Sequence, residues 1–145
     1  MYKNILLAYD GSQSGQHALL GCQDIAQWSQ ATLSLVAVTP LSVQMISMEG
    51  GFYDQSLADI DNEKYAAVLA DGLRQLAAAG FEARGELLLG DTVDEIVRYA
   101  EQINADLIVV GHKRQVSWAA RWWRGAVSKS LIEHAPCSVL VVIAT

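Results

Sequence analysis

The chain has 145 residues, 52% of them hydrophobic, enough for one ordinary domain to bury a core without disulfides or metal. Its formal net charge of −6 argues against a nucleic-acid partner, because affinity for a phosphate backbone needs a broad basic surface. Cys22 and Cys137 alone cannot build a disulfide framework or a four-cysteine metal site, and the apolar run in the opening MYKNILLAYDG is too short for a signal peptide or a membrane span, so a reducing cytoplasm and no membrane partner are expected.

Taken in chain order, Ile5 to Tyr9 reads as a first strand. Ser12 then caps a helix through roughly Trp28, with Ala18, Leu19, Cys22, Ile25 and Ala26 facing inward. Leu33 to Val38 is a second strand, and a long irregular connection from Thr39 to about Ser56 follows it. The spacing of Ile60, Tyr65, Val68, Leu69, Leu73 and Leu76 predicts a helix from about Leu57 to Ala79, stopped by Gly80.

A third strand is expected at Glu86 to Leu89. The next helix starts at Thr92, where Thr-Val-Asp-Glu has capping-box spacing with Glu95 and Ile96, Val97, Ala100 and Ile103 form an apolar stripe. Leu107 to Val110 and Val139 to Ile143 complete the strands, with a last helix from near Gly125 to before Pro136. Continuous apolar strands alternating with helices indicate a parallel sheet covered on both faces, in one α/β domain over residues 1–145.

The final strand, SVLVVIA, has no helix after it to cover an edge. It is therefore either internal to the sheet or paired with the same strand of a second subunit, and a homodimer through it is expected.

The charge is unevenly placed. Between Val109 and Leu131 lie Lys113, Arg114, Arg121, Arg124 and Lys129, half of the chain's basic residues, together with Trp118, Trp122 and Trp123 and no Asp or Glu. In doubly wound sheets ligands sit beyond the carboxyl ends of strands where the strand order reverses, and two segments qualify here: AYDGS after the first strand and VVGHK after the fourth. Gly111 would let backbone approach a ligand, and Gly125, Ala126, Val127 and Ser128 would open a helix whose unpaired N–H groups suit phosphate. Asp10 could accept hydrogen bonds from a ribose or hold a divalent cation. Each feature also has a plainer reading: a turn glycine, an Asp that caps the first helix, a solvated basic loop, and tryptophans that pack or anchor a dimer. His17, His112 and His134 show no metal spacing, and GxSxG and Walker A sequences are absent.

ILLAYDGS, the LVAV strand, GDTVDEIVRYA, ADLIVVG and the closing GAVSKSLIEHAPCSVLVV, in this order and spacing, make the chain resemble the universal stress protein family over essentially its whole length. The resemblance implies a single-domain Rossmann-like sandwich with a five-stranded parallel sheet in the order 3-2-1-4-5 and helices on both faces. It also implies a cytoplasmic homodimer linked to stress survival and, in one branch, binding of ATP or AMP, with Mg near Asp10. In that branch Ala8 lies at the adenine wall, and Val38 matches the strand-two position whose backbone reads adenine. The branch's phosphate loop reads Gly, two residues, Gly, nine residues, then Gly followed by Ser or Thr. Here Gly111 matches the first glycine, Arg114 stands at the second, the spacing to Gly125 is one residue longer, and Ala126 replaces the hydroxyl residue; Ser128 matches a hydroxyl often found two positions later. Lys113, Arg114 and Arg124 are candidates to replace the missing contacts by charge.

Three functions follow. The leading one is a non-catalytic adenine-nucleotide-binding regulatory module whose regulatory protein partner is unknown. The alternative is a nucleotide-independent dimeric interaction module, and the third is a slow ATPase, for which the chain offers cations but no clear base apart from Asp10.

Overall fold

A computed structural model describes residues 2–40, 55–113 and 126–144. The elements alternate as β1 (Asn4–Ala8), α1 (Gln13–Ser29), β2 (Thr32–Pro40), α2 (Gln55–Ala78), β3 (Ala83–Gly90), α3 (Thr92–Gln102), β4 (Leu107–Lys113), α4 (Ala126–His134) and β5 (Ser138–Ala144). Every strand pair is parallel and the sheet order is β3-β2-β1-β4-β5, so the expected order holds. β5 lies at one edge, paired with β4.

The alternation of side chains along β1 divides the core in two. Ile5, Leu7 and Tyr9 join Leu35, Leu107 and Val109 against Ala18 and Leu19 of α1 and Leu76 of α2. Leu6 joins Val36, Ile108 and Val110 against Ile96, Tyr99 and Ala100 of α3 and Leu131 of α4. Fully burying an aliphatic side chain of this size stabilises the fold by about 1.5–3 kcal/mol, so β1, buried on both faces, is the keel of the sheet.

Local chemistry sets the element ends. Ser12 caps α1 as expected: its Oγ accepts the Gly15 N–H at 3.0 Å, and its carbonyl accepts the first helical bond from Gln16 at 3.0 Å. α2 stops where Gly80 takes φ 90°, with Phe81 N–H donating to the Leu76 carbonyl at 2.9 Å and Gly80 N–H to Ala77 at 3.0 Å.

Several boundaries differ from the sequence reading. α3 is capped by Asp91, whose carboxylate accepts the Asp94 N–H at 3.0 Å; Thr92 is already helical, and Glu95 pairs with Arg98 at 2.6 Å. Asp is the better cap, and it stands one residue earlier. β3 begins at Ala83 rather than Glu86, because an edge strand tolerates the exposed Arg84 and Glu86 that break its apolar run. β4 continues three residues beyond Val110, held by the β5 ladder through Lys113↔Ala144. Of the expected irregular connection, Thr39 and Pro40 belong to β2 and Gln55 and Ser56 to α2, and the rest lies outside the described residues. Among the described residues, no helix is long and apolar enough to cross a membrane.

Candidate functional site

The central strand is shorter than its neighbours. β1 ends at Ala8, opposite Val36 of β2, and its ladder with β4 ends at Leu7↔Val109. β2 runs on to Pro40 and β4 to Lys113. The sheet therefore has a notch at the carboxyl end of β1, floored by Ala8 and flanked by Ala37–Pro40 and Val110–Lys113. This is where the strand order reverses, since β1 leads to β2 on one side and β4 lies on the other. Ala8 and Val38 both pack toward the α3/α4 face, and Val38 is buried and in register with Leu88 of β3.

Asp10 stands exposed at the rim. Its Oδ1 accepts the Ser12 N–H at 2.9 Å and the Ser12 hydroxyl, while Ser12 Oγ lies 3.0 Å from Ser14 Oγ. The carboxylate thus orients the residue that caps α1. Among the described residues its second oxygen has no hydrogen-bond partner, so the turn role leaves acceptor capacity for a ribose hydroxyl or a cation. No three His, Cys, Asp or Glu side chains converge among the described residues. A divalent ion at Asp10 would therefore rest on one carboxylate plus ligand oxygens and water, an arrangement that suits Mg.

Gly111 lies inside β4 rather than in a loop after it. A Cβ there would stand 2.1 Å from the Ser14 carbonyl oxygen and 2.7 Å from the Gly15 nitrogen, both backbone atoms. The glycine admits the first turn of α1 against the strand, which brings Asp10 close to β4. Lys113 is the last residue of β4. Ala126, Val127 and Ser128 form the first turn of α4, one residue after Gly125, as the expected helix start requires. Arg114, Arg121, Arg124, Gly125 and the three tryptophans of the basic stretch lie outside the described residues.

Two residues beside the notch escaped the sequence reading. Thr39, buried at the end of β2, donates from Oγ1 to Asn62 Oδ1 at 3.1 Å and ties that strand end to α2. Tyr9, also buried, donates its hydroxyl to Asp71 Oδ2 of α2 at 3.2 Å. Burial pushes the Tyr9 phenol above its ordinary range, and the Asp71 carboxylate pushes it further. The signal was a tyrosine closing an otherwise aliphatic strand, since a buried phenol needs a partner for its O–H. A separate open depression of about 800 Å³ lies at the amino ends of β2 and β3, lined by Thr32, Leu33, Leu73, Phe81 and Arg84 among others, and none of the expected site residues borders it.

The universal stress protein family matches residues 1–142. A curated relative named for that family, from Staphylococcus aureus (strain USA300), is 34% identical over 144 residues, covering 97% of this chain and 84% of the relative. A Burkholderia pseudomallei protein of the same family superimposes with a TM-score of 0.77 at 32% identity, covering 99% of this chain and 97% of that one. Two structures share the fold at lower identity: a universal stress protein in complex with cAMP (TM-score 0.68, 23% identity, 97% and 96% coverage) and one from Arabidopsis thaliana with AMP bound (0.70, 18%, 99% and 92%).

Proposed function

The chain belongs to the universal stress protein family, and from that premise we propose that it is a regulatory module of the stress response that binds an adenine nucleotide, ATP or AMP, in the notch beyond Ala8. It holds the ligand without turning it over and acts as a cytoplasmic homodimer. The observation that carries this reading is the truncation of β1 between two longer strands, with Ala8 small enough to leave the notch open and Asp10 at its rim.

The adenine lies along the β2 backbone at Val38, on the side where β1 has already ended. Asp10 takes the ribose hydroxyls or, through Mg, the phosphates. The phosphates face the start of α4, where the first-turn N–H groups of Ala126, Val127 and Ser128 lack intrahelical acceptors, and Gly125 is assigned to the same cradle, with Lys113, Arg114 and Arg124 supplying positive charge. Gly111 lets α1 close one wall. Family members holding cAMP and AMP support the ligand class.

The two sheet edges support the dimer. β3 exposes Arg84 and Glu86 beside Leu89, and the two charges discourage a further strand, whereas β5 reads SVLVVIA, has no charged residue and leaves Ile143 half exposed. A second reading, a dimer that works through protein contacts without nucleotide, is favoured by one observation: Gly111 and Asp10 each already have a structural task at the start of α1.

Mass spectrometry of small molecules released from purified, denatured protein, followed by equilibrium titration with ATP and AMP, decides between them. Released or titrated adenine nucleotide supports the first reading; millimolar ATP and AMP without detectable binding would leave the second.

A further inference from the structure

Tyr9 precedes Asp10 but faces the opposite way, into the space between α1 and α2. Its ring occupies a slot made by two glycines. A Cβ on Gly15 of α1 would stand 2.9 Å from Tyr9 Cδ1, and a Cβ on Gly72 of α2 would stand 2.8 Å from Tyr9 Cδ2. Glycine is an unfavourable residue inside a helix, yet both helices carry one where the ring passes. The hydroxyl end is fixed as well: Asp71 Oδ2 accepts from Tyr9 at 3.2 Å and from Gln75 Nε2 at 2.8 Å, and Arg74 reaches Asp71 Oδ1 at 3.4 Å.

Gly15 touches both sides. The same Cβ position lies 2.9 Å from Asp10 Oδ1, and the Gly15 N–H donates to the Ser12 Oγ that in turn donates to Asp10. A continuous path of contacts therefore runs from Asp71 on α2 through the Tyr9 phenol and Gly15 to the exposed carboxylate. We propose that Tyr9 is a positioning residue for Asp10, its hydroxyl anchored on α2 so that the first turn of α1 presents the carboxylate to the nucleotide at a fixed angle. This rests on the nucleotide reading given above. A phenylalanine would fill the slot equally well, so the hydroxyl anchor is what sets positioning apart from core filling.

The test is a double-mutant cycle on the full chain with Mg-ATP as the probe: parent, Tyr9→Phe, Asp10→Asn and the double variant, each first shown to be folded by circular dichroism. Loss of one hydrogen bond predicts that Tyr9→Phe weakens Mg-ATP by about three- to tenfold in the parent and has no further effect once Asp10 is Asn. Equal losses in both backgrounds, or none in the parent, would overturn the proposal. Amide hydrogen exchange without ligand supplies an independent arm. Tyr9→Phe should speed exchange at Ser12 and Gly15, the two N–H groups of the Asp10 turn, more than in the centre of α1. Unchanged exchange there would overturn the positioning role even with nucleotide binding intact. A parent that binds no Mg-ATP while Tyr9→Phe does loosen the turn would overturn the nucleotide reading, and with it any positioning role toward a ligand.

Discussion

Gly111 and Ser14 are in backbone contact: a Cβ on the glycine would lie 2.1 Å from the serine carbonyl oxygen. Neither partner can yield by rotating a side chain. Gly111→Ala must push α1 off β4, and overpacking of this kind costs about 1–3 kcal/mol. Urea titration should show a lower midpoint with an unchanged slope. Unaltered stability would mean that the helix start shifts freely, and any loss of nucleotide binding would then belong to the ligand site itself.

Ala8 floors the notch, so a large side chain there should occupy the ligand's place. Ala8→Trp is expected to abolish ATP and AMP binding while the far-UV circular dichroism spectrum keeps its α/β shape. Retained affinity would put the ligand elsewhere on the molecule.

The basic stretch can be tested by charge. Replacing Arg121 and Arg124 together by Gln should weaken ATP more than AMP, which carries less phosphate charge, and the difference should shrink as salt rises. Equal losses for the two nucleotides would count against phosphate contact. Arg114→Gly should also weaken ATP, as removal of a substitute contact; tighter binding would identify Arg114 as an obstruction.

Ile143 lies half exposed on the open edge of β5. A lysine there places charge where a second copy would pair, with little effect on the fold of one chain. Analytical ultracentrifugation at micromolar concentration should show a dimer for the parent and a monomer for Ile143→Lys. A monomeric parent would refute dimerisation through this edge.

Stability should fall at alkaline pH. Burial raises the Cys137 thiol above its ordinary 9.0 and the Tyr9 and Tyr99 phenols above 10.0, with Asp106, Asp71 and Glu86 respectively adding to the shift. The folded chain then holds protons that the unfolded chain releases. Their contribution is complete below those ordinary values and is lost as pH rises, first near 9 for the thiol and then near 10 for the phenols. Urea midpoints measured across this range should fall less steeply in Tyr9→Phe than in the parent. Parallel curves would show that Tyr9 ionises as freely in the fold as outside it.

The alternation of strands and helices was legible because strands buried on both faces, such as Ile5–Leu7 and Leu107–Val110, are written as unbroken apolar runs. The ends were less so. Arg84 hid the start of β3, since solvent on an edge strand removes the apolar signal, and His112 and Lys113 hid the end of β4, which pairing with β5 sustains. Asp10 and Gly111 could be named from their motifs, yet their structural partners could not. Ser14 lies far from Gly111 along the chain, and the Tyr9 slot is assembled from Gly15 and Gly72 on separate helices. Such contacts are properties of the packed molecule, and no local pattern encodes them.

The unlike borders of the sheet also set a limit on growth. Two chains joined along β5 by a two-fold axis, as proposed, would form one continuous sheet whose outer borders are both β3, each presenting Arg84 and Glu86 to solvent. A third chain approaching such a border would meet Arg84 and Glu86 beside the exposed Leu89. In the proposed dimer, the strand order that puts β1 at the centre would leave a β3 strand with exposed charge at each outer border, which disfavours open-ended growth.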